Sequence, residues 1–236
     1  MTAPGSTDVP QWVAGLLQAT DSFYPTGAYA HSHGLEGLVQ AGVVHDCATL
    51  RCFLIDYVLP ALAVTDLPLA VQAWNAAGDQ PDWARLRELC FLGSALRGAC
   101  EPREASRAIC RQRLDLAASL RGGFAAEFNR RAVTGNWPAP ACLAAVVEGR
   151  TLGAPLEAVL AGIVYTTVAG FIAASVKLLR IGQNASQALL AELLAQTPAL
   201  IAKALAHEAT EIGAFNPWWD IAAARHETAD FRLFIS

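Results

Sequence analysis

The chain has 236 residues, with 17 Lys plus Arg against 21 Asp plus Glu and a formal net charge of −4. Hydrophobic residues make up 54% and charged residues 16%, against about 25% charged in an ordinary soluble domain, so exposed apolar area of the kind that receives partners is expected. Only two lysines, Lys177 and Lys203, are present, which argues against a basic nucleic-acid face, and the length suits one domain that needs no disulfide or metal staple.

Alanine, the strongest helix former, occurs 47 times, which predicts an all-α fold. Residues 1–50 carry no Lys or Arg but hold Asp8, Asp21, Glu36 and Asp46, so a basic partner would be steered there. The same stretch lacks the basic residues of a secretory or mitochondrial leader, which sets a cytoplasmic expectation. Six cysteines show no C-x-x-C or zinc spacing, so free thiols are expected.

In chain order, residues 1–7 read as a flexible N-terminal tail. Val9, Trp12, Val13, Leu16 and Leu17 follow helical spacing, with Asp8 as a cap and Pro10 in the first turn. Pro25 and Gly27 mark a turn, and Leu50, Phe53, Leu54, Tyr57 and Val58 repeat the helical template after Asp46. Further helices are expected near 61–77, 82–98, 102–131, 138–151, 154–181, 185–196, 198–213 and 217–229. The uncharged run Ala158–Val176 meets the length of a membrane span. Its Ala, Gly and Thr content instead predicts a central apolar helix wrapped by others. Asp56, Pro60, Asp66 and Pro68 are expected to break the apolar stretch near residue 60. The fold expected is a single compact all-α domain over 8–236, of about nine to ten helices around that central helix.

The sequence lacks a P-loop, a G-x-G turn and a G-x-S-x-G elbow, so no catalytic constellation is assigned. His207 with Glu211, and His226 with Asp230, put an imidazole and a carboxylate four apart. On a helix each pair shares a face, which suggests either hydrogen-bonded pairs or, as the alternative function, a helical metal-dependent enzyme. His31 and His33 precede Glu36. Positions two apart diverge by about 200° on a helix, so the two are weak nickel or zinc candidates set against a capping and packing role. Trp218 and Trp219, then Phe231, Leu233, Phe234 and Ile235, load the C-terminal end with apolar area that must dock. A partner surface is the favoured dock, the chain's own domain the other.

Several strings resemble one family. Leu16–Ser22, followed by Pro25-Thr26-Gly27-Ala28-Tyr29-Ala30-His31-Ser32-His33-Gly34-Leu35-Glu36, is similar to the N-terminal signature of the urease accessory protein UreF family. Arg103–Arg107, Leu178–Gln183 with Gln187, and the ending Pro217, Asp220-Ile221, Arg225-His226-Glu227, Arg232-Leu233-Phe234-Ile235-Ser236 match in the same order. The family often has Gly where His33, Cys110 and Ser186 stand, and Arg where Ile235 stands. The resemblance implies a non-catalytic, dimeric chaperone of urease maturation that binds UreD (UreH in some organisms) and recruits the GTPase UreG. Nickel and GTP would be handled by the assembled complex that serves apo-urease, with no tightly bound cofactor and with the GTPase step modulated. The partner-binding residues it suggests are Pro25, Gly27, Tyr29, His31, Ser32, Gly34, Glu36, Gln183, Asp220, His226, Arg232, Leu233, Phe234 and Ser236.

Overall fold

A computed structural model of the chain describes residues 9–229 and 231–236. The expected tail at 1–7 and Asp230 lie outside the described residues. All regular structure among them is helical: α1 (Gln11–Thr20), a 3₁₀ turn (Ala28–Ala30), α2 (Leu35–Gln40), α3 (Cys47–Phe53), a π turn (Leu54–Val58), α4 (Leu59–Val64), α5 (Asp66–Ala76), α6 (Trp83–Ala95), α7 (Cys100–Arg121), α8 (Gly123–Thr134), α9 (Ala141–Leu152), α10 (Leu156–Leu178), α11 (Gln183–Leu194), α12 (Thr197–Leu205), a 3₁₀ turn (Ala209–Glu211) and α13 (Pro217–His226).

Local chemistry explains the boundaries. At α3 a reciprocal capping box closes two orphan donors, Thr49 N–H to Asp46 Oδ1 at 2.8 Å and Asp46 N–H to Thr49 Oγ1 at 3.1 Å; such a cap contributes about 1 kcal/mol. In the π turn the Leu59 N–H reaches back to the Leu54 carbonyl, five residues away. That one-residue offset absorbs Pro60, which has no N–H to donate. The expected break at Pro60 therefore does not occur; the interruption falls at Thr65 (φ −122°, ψ −87°), between α4 and α5 of the helical rod Cys47–Ala76. By length and composition that rod and Gln183–Leu205, as well as Leu156–Leu178, could each cross a membrane, so the run at 158–176 is not alone in this. Only 22% of the most apolar window of Gln183–Leu205 is buried, so that rod carries apolar surface outward.

The single helix expected over 102–131 is two. Gly122 sits at φ 67° and ψ −143°, followed by Gly123 at φ 53°; L side chains rarely adopt such backbone, and the chain folds α8 back against α7. The helix expected over 198–213 ends at Leu205, and the last one ends at His226 rather than 229.

One hydrophobic cluster extends from Leu35 to Phe234. α10 packs against α1, α2, α5, α9, α11 and α12, with Leu160, Val164 and Val168 fully buried. Residues 142–149 of α9 are all buried. The chain end is joined to this core beside α2 and α13, and that junction holds the buried polar side chains of Ser32, Glu36, His226 and Ser236.

Candidate functional site

The junction is built by the connection between α1 and α2. Gly27 (φ 76°) starts the 3₁₀ turn, and His33 (φ 52°) and Gly34 (φ 86°) reverse the chain into α2. Gly34 and Gly37 let α13 approach closely. A Cβ at Gly34 would lie 2.9 Å from Trp219 Nε1, and one at Gly37 would overlap the Ala222 carbonyl oxygen. Trp219 Nε1–H in turn donates to the His33 carbonyl at 2.9 Å. This close approach turns Glu36, in the first turn of α2, inward to 2% exposure.

Glu36 is the hub. Its Oε1 accepts from the Leu233 amide at 2.8 Å, and its Oε2 accepts from the Phe234 amide at 3.0 Å and faces His226 Nε2 at 2.9 Å. His226 Nδ1 faces Glu101 Oε2 at 2.6 Å, and Arg232 Nη1 donates to Glu101 Oε1 at 2.7 Å. A carboxylate oxygen thus faces each ring nitrogen of His226. Arg232 sets a guanidinium against Glu101 at the open side of the pair.

Main-chain bonds complete the seat. Ile235 N–H donates to the Ala30 carbonyl at 2.8 Å, and Ser32 N–H to the Ser236 carbonyl at 2.5 Å. His31 Nδ1 pairs with Ser236 Oγ at 2.8 Å, and Lys177 Nζ sits 5.0 Å from the Phe234 ring. The backbone bends at Leu233 and Phe234, and from Leu233 onward exposed and buried residues alternate. Phe234 and Ser236 are buried, whereas Phe231, Leu233 and Ile235 are 73%, 59% and 67% exposed. The end thus docks on its own domain, the other dock expected, through one face and turns the other face outward. Tyr29 (75% exposed) and Phe23 (93%) lie on the same α1–α2 connection and are turned to solvent.

Two further buried clusters, unmarked in the sequence, brace this region. Glu148 has no exposure and accepts from Tyr24 Oη at 2.6 Å, Arg113 Nε at 2.8 Å and Arg121 Nε at 3.2 Å. Burial and then the hydrogen bond to Glu148 hold the Tyr24 hydroxyl far above its ordinary range. Asp66 pairs with Arg97 Nη2 at 2.6 Å; burial opposes its ionisation, but the guanidinium, with hydrogen bonds from Cys142 and Arg97, leaves the carboxyl lowered. Nearby, burial, reinforced by His31 and Arg97, holds the His33 imidazole down at about 4, so the ring is neutral at pH 7. Its ring centroid is 5.9 Å from that of Phe171.

The remaining predicted residues fall as follows. Ser32, Gly34, Glu36, His226, Phe234 and Ser236 are buried within the junction, His31 is half-buried there, and Pro25 and Tyr29 are exposed beside it. Gly27 sets the turn, Arg232 bonds Glu101, and Leu233 faces outward. Gln183 opens α11 and is exposed. Asp220 lines an open cleft of about 320 Å³ with Phe215 and Ile221, where burial raises its carboxyl pKa. The His31 and His33 ring centroids are 6.1 Å apart, and the described residues hold no group of three or more His, Cys, Asp or Glu side chains arranged for a metal. The paired-face expectation fails for the alternative enzyme. His207 lies beyond the end of α12 and binds the Glu211 backbone carbonyl at 3.0 Å; His226 ends α13 inside the junction; and Asp230 is outside the described residues.

Comparison with known proteins gives this arrangement a family. The UreF family model matches residues 44–194. A urease accessory protein UreF of Granulibacter bethesdensis is 33% identical over 236 residues, covering 99% of this chain and 98% of that protein. One of Azoarcus sp. is 34% identical over 229 residues, covering 94% of each. A bifunctional urease accessory protein UreEF of Bordetella bronchiseptica is 32% identical over 232 residues, 95% of this chain and 52% of the longer protein. With identity sustained along nearly the whole length, and the junction formed by the same two strings that carry the resemblance, the chain belongs to the UreF family of urease accessory proteins.

Proposed function

We propose that this chain is a non-catalytic cytoplasmic adaptor of urease maturation that joins UreD (UreH) to the GTPase UreG, so that nickel, the cargo, reaches apo-urease and the GTPase step is modulated. The observation that carries this reading is the outward face of the docked tail, where Phe231, Leu233 and Ile235 stand exposed on a frame fixed by Glu36 and Glu101. Exposed aromatic and aliphatic anchors on a rigid base are the usual centre of a protein interface. A second copy of the chain is the further partner, giving a homodimer. The Bordetella bronchiseptica relative joins UreE and UreF in one polypeptide, which supports a role beside other maturation factors.

The test is a double variant, Leu233→Asp with Ile235→Asp, which changes only outward side chains. Mixed with UreD and UreG and run on a sizing column, the wild type is expected to co-elute and the variant to separate with unchanged helical circular dichroism. Undiminished co-elution of the variant, or normal nickel content in urease from a host lacking this chain, would overturn the reading.

A further inference from the structure

We propose that the hollow between α7 and α8, closed by the Asn136–Trp137 turn, is a carboxylate-binding site. It encloses about 110 Å³, room for roughly four water-sized groups. That is the size of a carboxylate with the carbon or two that carries it, and too small for a nucleotide. Arg107 and Arg111, one helical turn apart on α7, line it with Asn129, Asn136 and an apolar wall that includes Leu114 and Trp137.

Its donors are held ready. Arg107 Nη2 bonds Asn136 Oδ1 at 2.8 Å, which uses the acceptor end of that carboxamide and leaves its N–H₂ group as a donor. Asn136 itself is at φ 49°, one of two non-glycine residues with positive φ among the described residues; backbone of this kind persists where the surroundings hold it. Arg111 has no hydrogen bond or ion pair among the described residues, in contrast to Arg103, Arg107, Arg113 and Arg121 of the same helix. The two nearby carboxylates do not fill the hollow: Asp115 accepts from Asn129 Nδ2 at 2.9 Å, and Glu104 reaches Arg107 only at 4.0 Å. At the base, burial pushes the Cys110 thiol up to about 12, so this wall stays neutral.

A guanidinium fork, a carboxamide donor and an apolar wall suit a planar carboxylate on a short hydrocarbon stem better than they suit phosphate, which has no stem to place against Leu114 and Trp137. The carboxylate could belong to a free short-chain acid or to an Asp or Glu side chain of a partner; both present the same group. The site is separate from the docked tail, so its failure would leave the adaptor reading standing, and the reverse holds too.

The experiment is a titration of the full chain with sodium propionate, followed through the side-chain amide signals of Asn129 and Asn136 and the Trp137 indole signal, against sodium chloride and inorganic phosphate at matched ionic strength. Saturable shifts with propionate, absent with chloride and weaker with phosphate, are expected. The apparent Kd should rise about tenfold in Arg111→Gln, the loss of one charge-assisted pair. Because Arg111 is exposed, folding should be unaffected; Arg111→Lys, which keeps the charge but loses the fork, should fall between the two. Competition between propionate and assembly with the maturation partners would assign the carboxylate to a partner side chain, and binding without competition would assign it to a free acid. Shifts that never saturate, that chloride reproduces, that phosphate exceeds, or that survive Arg111→Gln unchanged would overturn the proposal.

Discussion

Replacing Glu36 with Gln swaps one carboxylate oxygen for an N–H₂ group at the hub of the junction. If the new nitrogen takes the Oε1 position it points at the Leu233 amide, 2.8 Å away; if it takes the Oε2 position it points at both the Phe234 amide and the His226 ring. The first choice is cheaper and still leaves one donor without an acceptor, costing about 1–3 kcal/mol. The two bonds that survive change from charge-assisted to neutral and lose about 1 kcal/mol each. Together these give roughly 3–5 kcal/mol, or a hundred- to several-thousandfold change in the opening equilibrium of the tail, at about 1.4 kcal/mol per factor of ten. Hydrogen exchange read at Leu233 and Phe234 should show this loss of protection, while amides of α9 and α10 keep theirs. If those two tail amides exchange within tenfold of the wild type, Glu36 does not hold the tail and the description of the junction is wrong.

The neutral state of His33 makes stability depend on pH. Below 6.5 the unfolded chain binds a proton that the native ring refuses until about 4, so its contribution is complete above 6.5 and is lost as pH falls toward 4. Between pH 7.5 and 5 this is worth up to about 2 kcal/mol; urea midpoints for wild type and His33→Gly should therefore diverge from each other by that order, and parallel curves would count against the assignment. Glu148→Gln should cost about 3–5 kcal/mol by stranding Arg113 and Arg121, whereas Tyr24→Phe should cost about 1–2 kcal/mol; thermal melts rank the two, and equal losses would contradict the hub role of Glu148. Exposed Cys52 and Cys100 should react with a thiol reagent in the native chain, while Cys90, Cys110 and Cys142, buried and with raised thiol pKa, should react only on unfolding; mass spectrometry of labelled peptides decides.

The helices were legible where periodicity was long and the caps local. Val13, Leu16 and Leu17 placed α1, and Asp46 placed the start of α3. The errors have physical causes. Pro60 reads as a breaker because a π turn that accommodates it leaves no mark in the spacing of apolar residues. Residues 206–213 keep an apparent helical rhythm although α12 ends at Leu205, so the four-residue separation of His207 and Glu211 carried no shared face. α2 was given no bounds because six residues are too few to display a period. At the junction, the tail was legible as a docking element, because its aromatic load stands out against a chain end. Glu148 could not be found that way: its partners Tyr24, Arg113 and Arg121 come from separate parts of the chain, and each reads alone as an ordinary amphipathic residue.

The bond from the Leu233 amide to Glu36 spans 197 residues. During synthesis at about 5–20 residues per second, Glu36 therefore leaves the ribosome roughly 10–40 s before the amides that bond it. For that interval the Glu36 carboxylate lacks both its His226 partner and the two tail amides, which all arrive in the stretch from residue 226 to 234. Closure of the junction thus reports that the chain has been made through residue 234, and the outward face of Leu233 and Ile235 comes into being only at that moment.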